Sequence, residues 1–165
     1  MILLDTNVVS EPLRHTPDIR VIAWIDAQAL ETLFLSAITV AELRTGVALL
    51  PTGKRRSVLQ DNLEQRVLPL FAGRILPFDL GSTGAYADRI ALARAAGYAI
   101  ATADACIAAI AVANGLSVAT RDTRPFEAAG VAVITDSAAD LPADEMHRLN
   151  VHMVPARVNF GDQDY

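Results

Sequence analysis

Asp5, Glu42, Asp104 and Asp122 are the residues whose type and placement could carry chemistry in this chain. They fall in four short stretches: Leu4-Asp5-Thr6-Asn7, Ser36-Ala37-Ile38-Thr39-Val40-Ala41-Glu42-Leu43, Thr102-Ala103-Asp104 and Ala119-Thr120-Arg121-Asp122. A carboxylate at the carboxyl end of a buried strand lies where open α/β sheets put their ligand sites. Each acid also has a local explanation. Asp-Thr-Asn makes a good helix cap or turn, Thr39-x-x-Glu42 reads as a capping box, Asp104 in a first helical turn gains from the helix dipole, and Asp122 suits an ordinary turn. Such local effects are worth about 1 kcal/mol or less each, and four of them would have to coincide at one sheet edge. Carboxylates crowded together repel and stay ionised only around a cation. A hard divalent ion, Mg²⁺ or Mn²⁺, suits an all-oxygen set and activates bound water for in-line attack on phosphorus.

The elements that must position these acids alternate between strand and helix. Met1 to Leu4 is an apolar strand, Asn7 to Arg14 opens a short helix, and Arg20 to Ala29 carries Val21, Ile22, Trp24 and Ile25 at helical spacing. Thr32 to Leu35 is a second strand, and the helix from Ala37 to about Leu50 stops at Pro51 and Gly53. Ile75 to Asp79 is a brief extended piece whose Pro77 keeps it off the sheet centre. Ser82 to Ala96 is a helix closed by Gly97, Ala105 to Ala113 is apolar on nearly every face and so buried, and Leu116 to Thr120 is a strand. Short links between such units make a mostly parallel sheet whose strand ends share one edge. A capping box would place Glu42 in the first turn of its helix, at that edge.

The 165-residue chain is long enough for one domain with a real core, and its 52% apolar content indicates a buried globular fold. No stretch of about 18 apolar residues offers a membrane span, and the start lacks a secretory signal. Cys106 stands alone as the single cysteine, which fits packing and a cytoplasmic location. The net charge of −5 argues at first against a nucleic-acid partner. Most of that excess, however, comes from Asp136, Asp140, Asp144, Glu145, Asp162 and Asp164 in the tail, faced there only by Arg148 and Arg157. Lys54-Arg55-Arg56 is the densest basic cluster, either a solvated helix face or a phosphate-contacting patch. There is no nucleophile with a paired base, no Walker loop and no dinucleotide-binding glycine motif. His15, His147 and His152 lie outside the acidic set.

The four acidic stretches, with Ile107-Ala108-Ala109 behind Asp104, resemble the four motifs of the PIN-domain ribonucleases, and more narrowly the VapC-type toxins close to the FitB subgroup. The likeness covers about residues 1 to 133. It implies a three-layer α/β/α fold, a homodimer, and Mg²⁺- or Mn²⁺-dependent cleavage of RNA. It also implies an antitoxin partner of ribbon-helix-helix type, through which alone the pair would touch DNA. A catalytically weak scaffold serving as half of that DNA-binding repressor is the alternative within the same family. By position, Asp5, Asp104 and Asp122 would be metal ligands, with Glu42 acting directly or through water. Thr6, Asn7, Ser36 and Thr120 would orient them through hydrogen bonds. Arg121 would join Lys54, Arg55 and Arg56 as a weaker candidate for substrate contact.

Beyond residue 133 the chain departs from that pattern. Thr135-Asp136-Ser137, Asp140-Leu141-Pro142 and the ending Asp162 to Tyr165 are similar to the amino-terminal start of the DegV fatty-acid-binding family. The expected division is therefore a PIN-like nuclease domain over 1–133 and a truncated DegV-like tail over 134–165. That tail is too short to enclose a lipid or fold alone. Val131 to Thr135 would still supply the first domain's last strand.

Overall fold

The computed structural model describes residues 1–136 and 151–154. Strands β1 (Ile2–Leu4), β2 (Leu33–Ser36), β3 (Ile75–Leu76), β4 (Ser117–Ala119), β5 (Val133–Asp136) and β6 (Val151–Val154) form one sheet in the order β3-β2-β1-β4-β5-β6. Every pairing is parallel, with Leu3 opposite Phe34 on one side and Val118 on the other. β6 pairs with β5 from Val133↔Val151 to Asp136↔Val154, so a piece of the tail continues the sheet. The rest of the DegV-like segment, His147 and Asp162 to Tyr165 included, lies outside the described residues.

Parallel strands are buried on both faces, and the side chains alternate accordingly. Leu3, Val118 and Val133 join one core with Ile107 and Ile110, whereas Leu4, Leu33, Leu35 and Ala119 join a second with Val8, Val40 and Leu43. Two cores separated by one sheet make the three-layer α/β/α arrangement. α1 (Thr6–Val9), α2 (Ile19–Asp26) and α3 (Ala37–Ala48) supply the second core. α7 (Thr102–Ala113) and α8 (Arg124–Ala128) supply the first. α6 (Leu80–Ala95) packs along the outside of α7, which explains an α7 that is apolar all round. Trp24 and Cys106 are only half-buried. No helix among the described residues is long and apolar enough to cross a membrane.

Helix ends follow local chemistry. Gly97 and Gly115 take φ of +77° and +64°, and the amides after them, Tyr98 and Leu116, bond back to Ala93 and Ala111 at 2.9 Å. Lys54, Arg55 and Arg56 are the first turn of α4 (Lys54–Asn62). The chain then passes through a single π-helical turn, Leu63–Val67, into the short α5 (Leu68–Leu70).

Ile110 is fully buried between α7 and the sheet. Ile110→Ala is expected to lower unfolding free energy by about 2–5 kcal/mol through lost burial and an unfilled cavity. A urea titration showing a loss below about 1 kcal/mol would mean that α7 is not packed against the sheet as described.

Candidate active site

From β1 the chain moves outward to β2 and β3, then crosses back to place β4 on the other side of β1. The crevice beyond the carboxyl ends of β1 and β4 is therefore the topological switch point. Asp5 leaves β1 there and Thr120, Arg121 and Asp122 leave β4 there. Ser36 ends β2 and caps α3, while Asp104 lies in the first turn of α7, which begins at the same edge.

Asp5 both caps a helix and faces the crevice. Its Oδ1 accepts from the Thr6 amide at 2.7 Å, starting α1, and its Oδ2 accepts from the Thr120 hydroxyl at 2.7 Å. A hydroxyl has one proton and two lone pairs. Thr120 gives its proton to Asp5 and accepts from Asn7 Nδ2 at 3.0 Å and from the Asp122 amide at 3.1 Å. Asn7 Oδ1 in turn accepts from the Arg121 amide at 3.0 Å, so β1 and β4 are stitched together just beyond their ends.

Glu42 is not part of a capping box. The α3 cap is Ser36, whose Oγ accepts from the Thr39 amide at 2.8 Å, so Glu42 sits in the second turn. Its Oε2 instead accepts from the Thr6 hydroxyl at 2.5 Å, which draws it toward Asp5's neighbour. Thr39 is fully buried and its hydroxyl reaches the Leu4 carbonyl at 3.4 Å, tying α3 to the end of β1.

The four acids act on one another electrostatically. Burial holds Asp5 above the usual carboxylate range, the Thr120 and Thr6 hydrogen bonds pull it down, and the charges of Glu42 and Asp122 push it up. Asp104 is pushed up to about 6, first by burial and then by Asp5, Glu42 and Asp122. None of the ion pairs among the described residues involves any of the four. The set is therefore an all-oxygen, uncompensated anionic cluster, the donor chemistry that Mg²⁺ and Mn²⁺ prefer. Among the described residues, no group of three Asp, Glu, His or Cys side chains is close enough to grip one ion together. A Mg²⁺ ion held by one or two carboxylates and completed by water fits such a spacing.

None of the ion pairs among the described residues joins a basic candidate to the four acids. Lys54 and Arg55 are exposed on α4, and Arg56 lines a groove with Arg44, Gln60 and Glu64. The Arg121 guanidinium is engaged elsewhere, 3.1 Å from Glu11 Oε2 and 3.6 Å from Asp18 Oδ2, rather than standing free for substrate. Glu11, only 1% exposed, is a residue that sequence reasoning passed over. Its one signal was a carboxylate between the apolar pair Val8-Val9 and Pro12-Leu13.

The PIN domain profile matches residues 2–131, and that of an uncharacterised DegV family matches residues 130–165. The plasmid stability protein StbB of Pseudomonas syringae pv. tomato is 66% identical over 134 residues, 81% of this chain and 96% of that protein. The VapC ribonuclease Y4jK of Sinorhizobium fredii and toxin FitB of Neisseria gonorrhoeae are each 60% identical, again covering 81% of this chain and 96% of theirs. A solved structure of FitAB bound to an IR36 DNA fragment superposes with a TM-score of 0.79 at 57% identity, covering 82% of this chain and 94% of that one. The class defined by this fold and this acidic edge is the PIN domain. The chain belongs to that family, alongside the VapC and FitB toxins.

A folded-state pKa raised from 3.8 to about 6 means that Asp104 binds more protons folded than unfolded between those values. In EDTA, stability on this account falls as pH rises through that window and the deficit persists above it. Asp104→Asn is expected to melt higher than the wild type at about pH 7.5 and to lose most of that advantage near pH 4. Thermal unfolding in EDTA checks this, and an advantage of equal size at both pH values would contradict it.

Proposed function

We propose that this chain is the toxin of a toxin-antitoxin pair and acts as an Mg²⁺- or Mn²⁺-dependent endoribonuclease. What supports the reading is that Asp5 and Asp104 feel the charges of the other acids at the switch point, while none of the ion pairs among the described residues involves Asp5, Glu42, Asp104 or Asp122. Of the proposed ligands Asp5, Asp104 and Asp122, one or two would bind the ion directly and the rest through water, with Glu42 acting directly or through water. When bound, the ion supplies an activated water and charge stabilisation at the phosphorus.

The remaining work belongs to the chain's own residues. Thr120 fixes Asp5 Oδ2 by donating to it, and Thr6 fixes Glu42 in the same way. Asn7 locks the 120–122 turn against β1. Ser36 and Thr39 anchor the start of α3, which sets where Glu42 projects. We assign the attack on phosphorus to water rather than to a side chain. We assign the activity to residues 1–133, the part that the toxin relatives share, and treat 134–165 as an added segment.

The name VapC ribonuclease on a 60% identical relative supports RNA as substrate. The FitAB complex on DNA supports an antitoxin partner; a ribbon-helix-helix type for that partner and a homodimeric state for the toxin are our assignments. The same complex favours a second role, in which the pair represses its own promoter. The two roles are compatible, since DNA would be contacted through the antitoxin while the acidic edge works on RNA.

Purified protein incubated with total RNA, with and without EDTA, followed by sequencing of new ends, tests the nuclease. Asp5→Asn and Asp104→Asn are each expected to reduce Mn²⁺-dependent cleavage by about a hundredfold or more while preserving the circular dichroism spectrum. Cleavage by both variants at the wild-type rate would refute the assignment.

A further inference from the structure

Asp5 and Glu11 are the two buried carboxylates among the described residues, and only Asp5 belongs to the acidic edge. Glu11 opens a 3₁₀ turn, Glu11–Leu13, just after α1. It is satisfied from three directions: Arg121 Nη1 at 3.1 Å, Arg14 Nη1 at 3.3 Å and the Asp18 amide at 2.8 Å. So thorough a set of partners marks a buried charge that is held deliberately in place, because an unpaired one would cost much more than it returns.

What Glu11 holds matters because of where Arg121 starts. Arg121 lies between Thr120, bonded to Asp5 at 2.7 Å, and Asp122, one of the four acids. A guanidinium is permanently charged and prefers carboxylates as partners. Leaving from that turn, it has a choice between the uncompensated acidic edge and Glu11. In the structure it turns to Glu11, and its Nη2 approaches Asp18. Its positive charge helps to lower Asp18 and is not among the influences on Asp104.

We propose that Glu11 is a positioning residue that ties Arg121 away from Asp5, Glu42, Asp104 and Asp122, and thereby keeps these carboxylates free for a divalent cation. Without that tie, Arg121 falls onto the acids and competes with the ion as an internal counter-charge. The inference rests on the reading of the acidic edge as a metal site.

Calorimetric titration of the full chain with Mn²⁺ alone tests it, using wild type, Glu11→Gln, Arg121→Gln and the double variant, each checked for folding by circular dichroism. Glu11→Gln keeps an acceptor for the Asp18 amide but loses the charge that holds Arg121. It is expected to weaken Mn²⁺ binding about tenfold, and removing Arg121 as well is expected to restore affinity to within about twofold of wild type. Arg121→Gln alone is expected to bind like the wild type, which keeps the proposal testable should Glu11→Gln fail to fold. Unchanged affinity in Glu11→Gln, a double variant as weak as Glu11→Gln, or a tenfold loss in Arg121→Gln would each overturn the role of Glu11. A wild type that takes up no Mn²⁺ would instead bring down the metal site itself, and this inference with it.

Discussion

The mutual repulsion of four carboxylates at the carboxyl edge of a buried sheet is the constraint to which the rest of the structure answers. Burial makes that repulsion worse, because a low-dielectric setting strengthens every charge-charge interaction. The fold offsets part of it with dipoles. Helices α1, α3 and α7 all begin at this edge, at Asp5, Ser36 and Ala101, and turn their amide ends toward the acids. Hydroxyls and amides add directed hydrogen bonds to Asp5 and Glu42. These groups are neutral, so they can ease the charge without cancelling it, and Asp104 still stands at about 6.

That distinction decides between a structural and a functional reading of the same residues. A protein that needed only stability would place a lysine or an arginine in the crevice, or replace the acids with amides that still cap helices. Here the nearby arginine is bonded to a different carboxylate. The network also spends little on redundancy. Thr120 uses its single proton and its acceptor capacity to join Asp5, Asn7 and Asp122, so three of the elements at the edge share one oxygen atom. Asp5 itself shows that capping and site-building are not rival explanations, since its two oxygens serve the two purposes separately.

Much of this was legible in the sequence because the signals were local. An Ile-Leu-Leu run ending at Asp5 marked β1, the apolar-rich Leu116 to Thr120 marked β4, Gly97 and Gly115 marked helix ends, and the all-apolar α7 announced its own burial. Glu42 was placed one turn too early. Ser36 and Thr39 are both capping residues three positions apart, and the pattern fits Thr39-x-x-Glu42 equally well until the amide bonded by Ser36 is known. Arg121, a weak candidate for substrate contact by its position, pairs with Glu11, which lies 110 positions away in sequence. No periodicity or turn rule links two such residues, and only the closure of the sheet brings them together.

The additional strand joins the sheet away from the switch point. The two family matches overlap at residues 130–131, immediately before β5, and β5 pairs with β4 on one side and β6 on the other. A parallel sheet grows at its edges, and adding β6 moves the open edge outward by one strand. The acids, by contrast, gather where β1 and β4 diverge, in the sheet's interior and separated from β6 by β5. The hydrogen bonds described on Asp5 and Glu42 come from Thr6 and Thr120, and Asn7 and Thr39 tie the neighbouring turn and helix to the end of β1. A switch point is fixed by the strands on either side of it, and the hydrogen bonds described at this one join β1, α1, α3 and the 120–122 turn rather than β6.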